Sequence, residues 1–175
     1  MNIEEIKNYA IKAHADTNHR YGDHPYSVHL IRVVDIAEEY YDTVFGTPIH
    51  KQTEEYKKDV IGACWCHDLI EDARQTFNDV IENTGSNEIA SIVYAVTNEK
   101  GRSRHERAND KYYEGIRNKG LSAMFVKICD RIANYEFSKE NGSNMAGRYR
   151  KEMLEFIREV FHDPRLYPML KRLAS

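Results

Sequence analysis

Apolar residues return every three or four positions along nearly the whole chain, so its hydrophobic surface can be buried only by packing helix against helix. Ile3, Ile6, Ala10 and Ala13 set this spacing at the start, and Asn2 with Glu5 resembles a capping box for that helix. The polar stretch from Thr17 to His24 interrupts the pattern. A second helix is expected to begin near Pro25, because proline is tolerated at the first helical position, and to carry Val28, Ile31, Val34 and Ile36 towards Tyr41. Gly46-Thr47-Pro48 marks a loop, and Thr53-Glu54-Glu55 opens a third helix running through Val60 to His67. Short helices follow over Phe77–Glu82 and Glu88–Val96. Next come a charged helix over Arg104–Arg117 and, after Gly120, an apolar one over Ser122–Tyr135. A polar loop from Ser138 to Asn144 precedes helices through Phe156–Phe161 and Leu166–Leu173, parted by Pro164. No segment alternates convincingly as a strand. The expected fold is all-α, with residues 1–175 forming one domain.

Size and charge narrow the function. A chain of 175 residues has room for one core. A net charge of -3 disfavours a nucleic-acid polymer or an anionic membrane as the main partner. The start lacks a basic and apolar leader, and no apolar run approaches the ~20 residues needed to span a bilayer. Three cysteines, Cys64, Cys66 and Cys129, form no C-x-x-C pair and read as packing residues. A reduced, cytoplasmic protein is expected, as a monomer or homo-oligomer.

The chemistry concentrates in Cys66-His67-Asp68-Leu69-Ile70-Glu71-Asp72, which ends an apolar helix. Burying an imidazole and a carboxylate there is costly unless they are paired or bind metal. Neighbouring helix positions point about 100° apart, so His67 and Asp68 can reach one ion from a single turn. Two further ligands are available. His29 lies one turn past Pro25, and Asp130 interrupts the apolar run Ala123–Ile132. A lone His-Asp pair is ordinarily a surface or capping pair, and Asp130 alone could pair with Arg131 or Arg20. Together, His29, His67, Asp68 and Asp130 form a nitrogen–oxygen set suited to one divalent ion: manganese, iron or zinc.

In order, these motifs resemble the hydrolase domain of RelA/SpoT-type alarmone enzymes, a branch of the HD superfamily. Ala13-His14, Arg20, Pro25-Tyr26 and His29 resemble its opening A-H…R…P-Y…H segment. His67-Asp68-Leu69-Ile70-Glu71-Asp72 resembles its H-D-x-x-E-D motif, and Val96-Thr97 its V-T. Lys127-Ile128-Cys129-Asp130-Arg131-Ile132-Ala133-Asn134 resembles its K-L-A-D-R-L-x-N. The likeness covers residues 1–140. It implies one Mn²⁺ on His29, His67, Asp68 and Asp130, with Glu71 and Asp72 positioning and activating water. Arg20 and Asn134 would contact a phosphorylated nucleotide, and Tyr21, a departure from the family pattern, reads either as a stacking surface for a base or as an ordinary loop tyrosine. The implied reaction removes pyrophosphate from the 3′ position of ppGpp or pppGpp.

Departures from the pattern widen the substrate question. Arg20-Tyr21-Gly22-Asp23-His24 replaces the family's R-K-S-G-E, and Phe137 stands where a threonine is usual. The segment between His29 and His67 is longer, with the excess over Asp42–Glu55. Alternatives are therefore a phosphatase for NADPH or a (deoxy)nucleoside monophosphate, and a nucleotide-binding regulator without turnover. The cations Lys100, Arg102, Arg104, Arg107 and Lys111 read as a solvated helix face broken by Glu106, Asp110 and Glu114.

Overall fold

Side-chain caps place most of the helix starts. A computed structural model describes residues 1–46, 53–160 and 163–174. Helix α1 (Ile3–Asp16) starts on the Asn2/Glu5 capping box. After it, β1 (Arg20–Tyr21) and β2 (His24–Pro25) form a two-stranded antiparallel hairpin, with Tyr21 opposite His24. Helix α2 (Ser27–Phe45) follows. Helix α3 (Glu54–Cys66) is capped by Thr53 and followed at once by the single turn α4 (Leu69–Asp72). Next come α5 (Phe77–Thr84), α6 (Asn87–Val96), the short α7 (Arg104–Arg107) and α8 (Asp110–Lys119). The long α9 (Leu121–Glu140) and α10 (Met145–Val160) then precede a 3₁₀ turn at Pro164–Leu166 and α11 (Tyr167–Ala174). Among the described residues, no helix is long and apolar enough to cross a membrane.

The all-α expectation holds apart from the hairpin, which occupies the polar break Thr17–His24. Gly22, at φ +59°, takes the left-handed turn that a side chain would resist. Pairing in β2 removes Pro25 from the helix it was expected to start, so α2 begins at Ser27. The charged helix over Arg104–Arg117 is two helices, because the Asn109 side chain accepts from Tyr112 N–H and caps a new start. Conversely, α9 runs through Ser138 to Glu140, where a loop was expected, and α10 starts well before Phe156. Thr47, Pro48 and Phe161 lie outside the described residues.

Helix α9 is the hub, packing against α2, α3, α6, α8, α10 and α11. Its start turns on Gly120, whose φ +85°, ψ −147° is a conformation essentially restricted to glycine. Phe125 is fully buried in α9 and meets Phe45 edge-on at a ring separation of 5.1 Å. Phe45 also meets Tyr56 of α3 edge-on at 5.9 Å, so these rings link α2, α3 and α9, the helices around the site below. Phe125→Ala is expected to cost about 3–5 kcal/mol through lost burial and a residual cavity. Denaturant unfolding at unchanged m-value measures it.

Candidate metal centre and cleft

Four buried side chains converge where α2, α3 and α9 meet. His29, His67, Asp68 and Asp130 each offer one atom within 4.8 Å of all the others. His29 Nε2 and His67 Nε2 are 3.2 Å apart. Asp68 Oδ2 lies 2.9 Å from His67 Nε2, and Asp130 Oδ1 lies 3.3 Å from His29 Nε2. Ligands bonded to one ion at about 2.0–2.2 Å stand roughly 3.0–3.5 Å apart at tetrahedral or octahedral angles. These four could therefore hold an ion after small adjustments.

Local structure aims each donor. His29 sits in the first turn of α2. His67 follows the last residue of α3, and its Nδ1 bonds the Cys64 carbonyl at 2.9 Å, which turns Nε2 inward as a metal ligand requires. Asp68 is not in a regular helix. Its ψ of 5° ends α3 and starts α4, so the pair reaches a common point from a helix break, not from one turn. Asp130 projects from the middle of α9. Its Oδ2 pairs with buried Lys127 at 2.9 Å, not with Arg131 or Arg20.

Electrostatics follow from this crowding. Burial works against the charged form of His67, but Asp68 and Asp130 outweigh it and raise its pKa well above the usual value. Burial likewise opposes charge on Asp130, yet Lys127 and the two histidines hold it well below the carboxylate range. Asp68 is also lowered, against burial, by His67.

Glu71 and Asp72, both in α4, differ in environment. Asn98 donates from its side chain to Glu71 Oε1 at 3.0 Å and from its backbone to Oε2 at 3.3 Å, while Arg107 stands 3.7 Å away. Asp72 is exposed as a residue, but partial desolvation of its carboxyl, with Asp68 and Glu71 nearby, pushes its pKa up to about 7.

A cleft of about 580 Å³ opens beside Asp130 and Glu71. Asn98, Lys127 and Asn134 line its inner part, and Arg104, Arg107, Arg148, Tyr149 and Lys151 its mouth. Asn134 donates to Asp130 at 2.5 Å. Arg20 and Tyr21 are not among the lining residues. Arg20 is exposed and donates to the Asp23 carbonyl, whereas Tyr21 packs on Phe137.

Sequence reasoning missed three features. Tyr26 donates to Asp68. Lys127 was legible as the cation one turn before Asp130. The cations of α10 gave no signal, because only the tertiary fold brings them to this cleft. Arg104 and Arg107, read as solvated, line its mouth.

Comparison of folds finds matches among solved structures. The structure matches a metazoan ortholog of SpoT, a protein that hydrolyzes ppGpp and plays a role in starvation responses. The TM-score is 0.73 at 20% identity, over 98% of this chain and 92% of that one. The chain has the fold of that SpoT ortholog. No family model and no curated protein matches it.

Ion uptake should be coupled to proton loss, because an ion at this point must displace the proton that Asp68 and Asp130 hold on His67. The raised pKa of His67 sets the sign: affinity for Mn²⁺ rises with pH until that pKa is passed. Calorimetric titration near pH 7 in buffers of different ionisation enthalpy should show about one proton released per ion. Binding without proton release, at an affinity independent of pH, would show that His67 carries no proton for the ion to displace.

Proposed function

We propose that the chain is a metal-dependent phosphohydrolase that removes pyrophosphate from the 3′ position of ppGpp, pppGpp or a closely related nucleotide. The observation that carries this reading is the juxtaposition of a four-ligand cluster with a cation-lined cleft, both meeting at Asp130. His29, His67, Asp68 and Asp130 would hold one divalent ion, with Mn²⁺ the leading candidate. Bound there, the ion supplies Lewis-acid stabilisation of charge building on phosphorus.

The chain's own residues supply the rest. Arg104, Arg107, Arg148 and Lys151 neutralise phosphates that a chain of net charge -3 would otherwise repel. Arg148 and Lys151 have no carboxylate partner among the described residues, which leaves them available to an anion. Glu71, fixed by Asn98, orients the attacking water. Asp72, with its pKa raised towards neutrality, accepts the proton. Water adds to the 3′-linked phosphorus, the bond to the 3′ oxygen breaks, that oxygen takes up a proton to become the 3′-hydroxyl, and pyrophosphate and the 3′-hydroxyl nucleotide are released.

One observation favours a second substrate reading, another nucleotide such as NADPH. Tyr21 is half-buried against His29 and Phe137, so its ring is occupied where stacking on a base was one expectation. Base discrimination should therefore be weak.

Three measurements test the proposal. With Mn²⁺, product analysis over ppGpp, pppGpp, NADPH and nucleoside monophosphates should give pyrophosphate from the alarmones, and no product from any of them would overturn the hydrolase reading. Glu71→Gln should keep Mn²⁺ but lose turnover. Arg148→Ala with Lys151→Ala should raise KM roughly tenfold to a hundredfold, the effect of losing charged contacts of about 1.5–3 kcal/mol, with Mn²⁺ occupancy unchanged. An unchanged KM would place the substrate elsewhere.

A further inference from the structure

The hairpin between α1 and α2 and the residue that follows it contribute no ligand to the metal cluster, yet they reach its two carboxylates by two routes. Tyr26, just past β2, donates its hydroxyl to Asp68 Oδ2. Tyr21, in β1, donates to Asn134 Oδ1 at 3.1 Å, and Asn134 Nδ2 donates to Asp130 Oδ1 at 2.5 Å. The amide orientation in this second path is dictated by chemistry. Ionised Asp130 can only accept, so Asn134 must turn its NH₂ towards it and its carbonyl towards the tyrosine.

Both rings are wedged so that their hydroxyls stay aimed. Tyr26 is stacked on His19 at 3.8 Å and 17°, with His14 tilted against it at 4.3 Å. His14 Nδ1 and His19 Nδ1 share a 3.0 Å hydrogen bond that ties this wall together. Tyr21 lies between Phe137 at 4.1 Å and His29 at 4.8 Å. The two tyrosines meet edge-on at 6.1 Å and 86°, a ring contact that removal of either hydroxyl leaves in place.

We infer that Tyr21 and Tyr26 form a hairpin-borne clamp that positions the two carboxylate ligands, Tyr26 acting directly on Asp68 and Tyr21 acting on Asp130 through Asn134. This rests on the metal-centre reading above, and it makes Tyr21 and Asn134 positioning residues for the ion where sequence resemblance assigned them to substrate. Each oxygen that accepts from the clamp retains a lone pair for the ion. Without the clamp, the carboxylate must be immobilised when the ion binds, and affinity falls. Outer hydrogen-bond partners of metal ligands are typically worth 10–100-fold in affinity or activity.

The test is titration of metal-free full chain with Mn²⁺ alone, read as Kd. Tyr26→Phe and Tyr21→Phe should each raise Kd by about 10–100-fold, while Tyr41→Phe, remote from the cluster, stays as wild type. Asn134→Ala should cost at least as much as Tyr21→Phe, and combining these two should be no worse than Asn134→Ala alone. Tyr21→Phe with Tyr26→Phe should instead multiply the two single effects, because they act on different carboxylates. Lost kcat should return at saturating Mn²⁺ in all of them, which loss of a substrate contact would not permit. If Tyr26→Phe fails to fold, the Tyr21/Asn134 pair still decides. Wild-type Mn²⁺ binding with unchanged Kd in the variants overturns the clamp and leaves the metal centre standing. No Mn²⁺ binding by wild type overturns both.

Discussion

Two carboxylates and two imidazoles buried within 4.8 Å of one another are the costliest arrangement in this molecule, and the surrounding helices are organised around it. Asp68 and Asp130 would repel each other in a dry interior. They are tolerated because Lys127 and the histidines stand on one side and Tyr26 and Asn134 on the other. The partners come from three separate stretches of chain, Tyr26 with His29, His67, and Lys127 with Asn134, so the cluster exists only in the assembled fold. A divalent cation would resolve the remaining repulsion more completely than a shared proton can.

Helix α9 converts that local requirement into an architecture. Its buried face carries Phe125, Lys127, Cys129 and Asp130 among aliphatic residues, and helices pack around it on several sides. One helix thus serves the core, one member of the cluster, that member's counter-charge and, at Asn134, a bridge to the hairpin. Substitutions in α9 should seldom separate stability from site geometry.

The helical order and the clustering of His29, His67, Asp68 and Asp130 were legible in the sequence because both leave periodic or local marks. His67 and Asp68 are adjacent, Asp130 breaks an apolar run, and caps such as Asn2 and Thr53 announce helix starts. Illegible features depended on competition between local structures or on distance. Pro25 suits a helix start, but pairing of Arg20 and Tyr21 with His24 and Pro25 took precedence. Asn109 redirected a charged segment whose periodicity suggested one continuous helix. Arg148 and Lys151 follow Asp130 by about 20 residues, and nothing local to α10 indicates that they return to the same cleft. The sequence also offered Tyr21 as a free ring, whereas Phe137 and Asn134 occupy both its face and its hydroxyl.

At the cleft mouth, Arg104 is held by both oxygens of Glu152 and lies over the Tyr149 ring. The entrance therefore contains a resident anion of its own. A guest with one negative charge gains little there, since taking Arg104 means evicting a carboxylate already well placed. A guest with several charges can settle first on Arg148 and Lys151 and bargain for Arg104 afterwards. The ion pair thus acts as an internal competitor for Arg104 against any anion that enters the mouth.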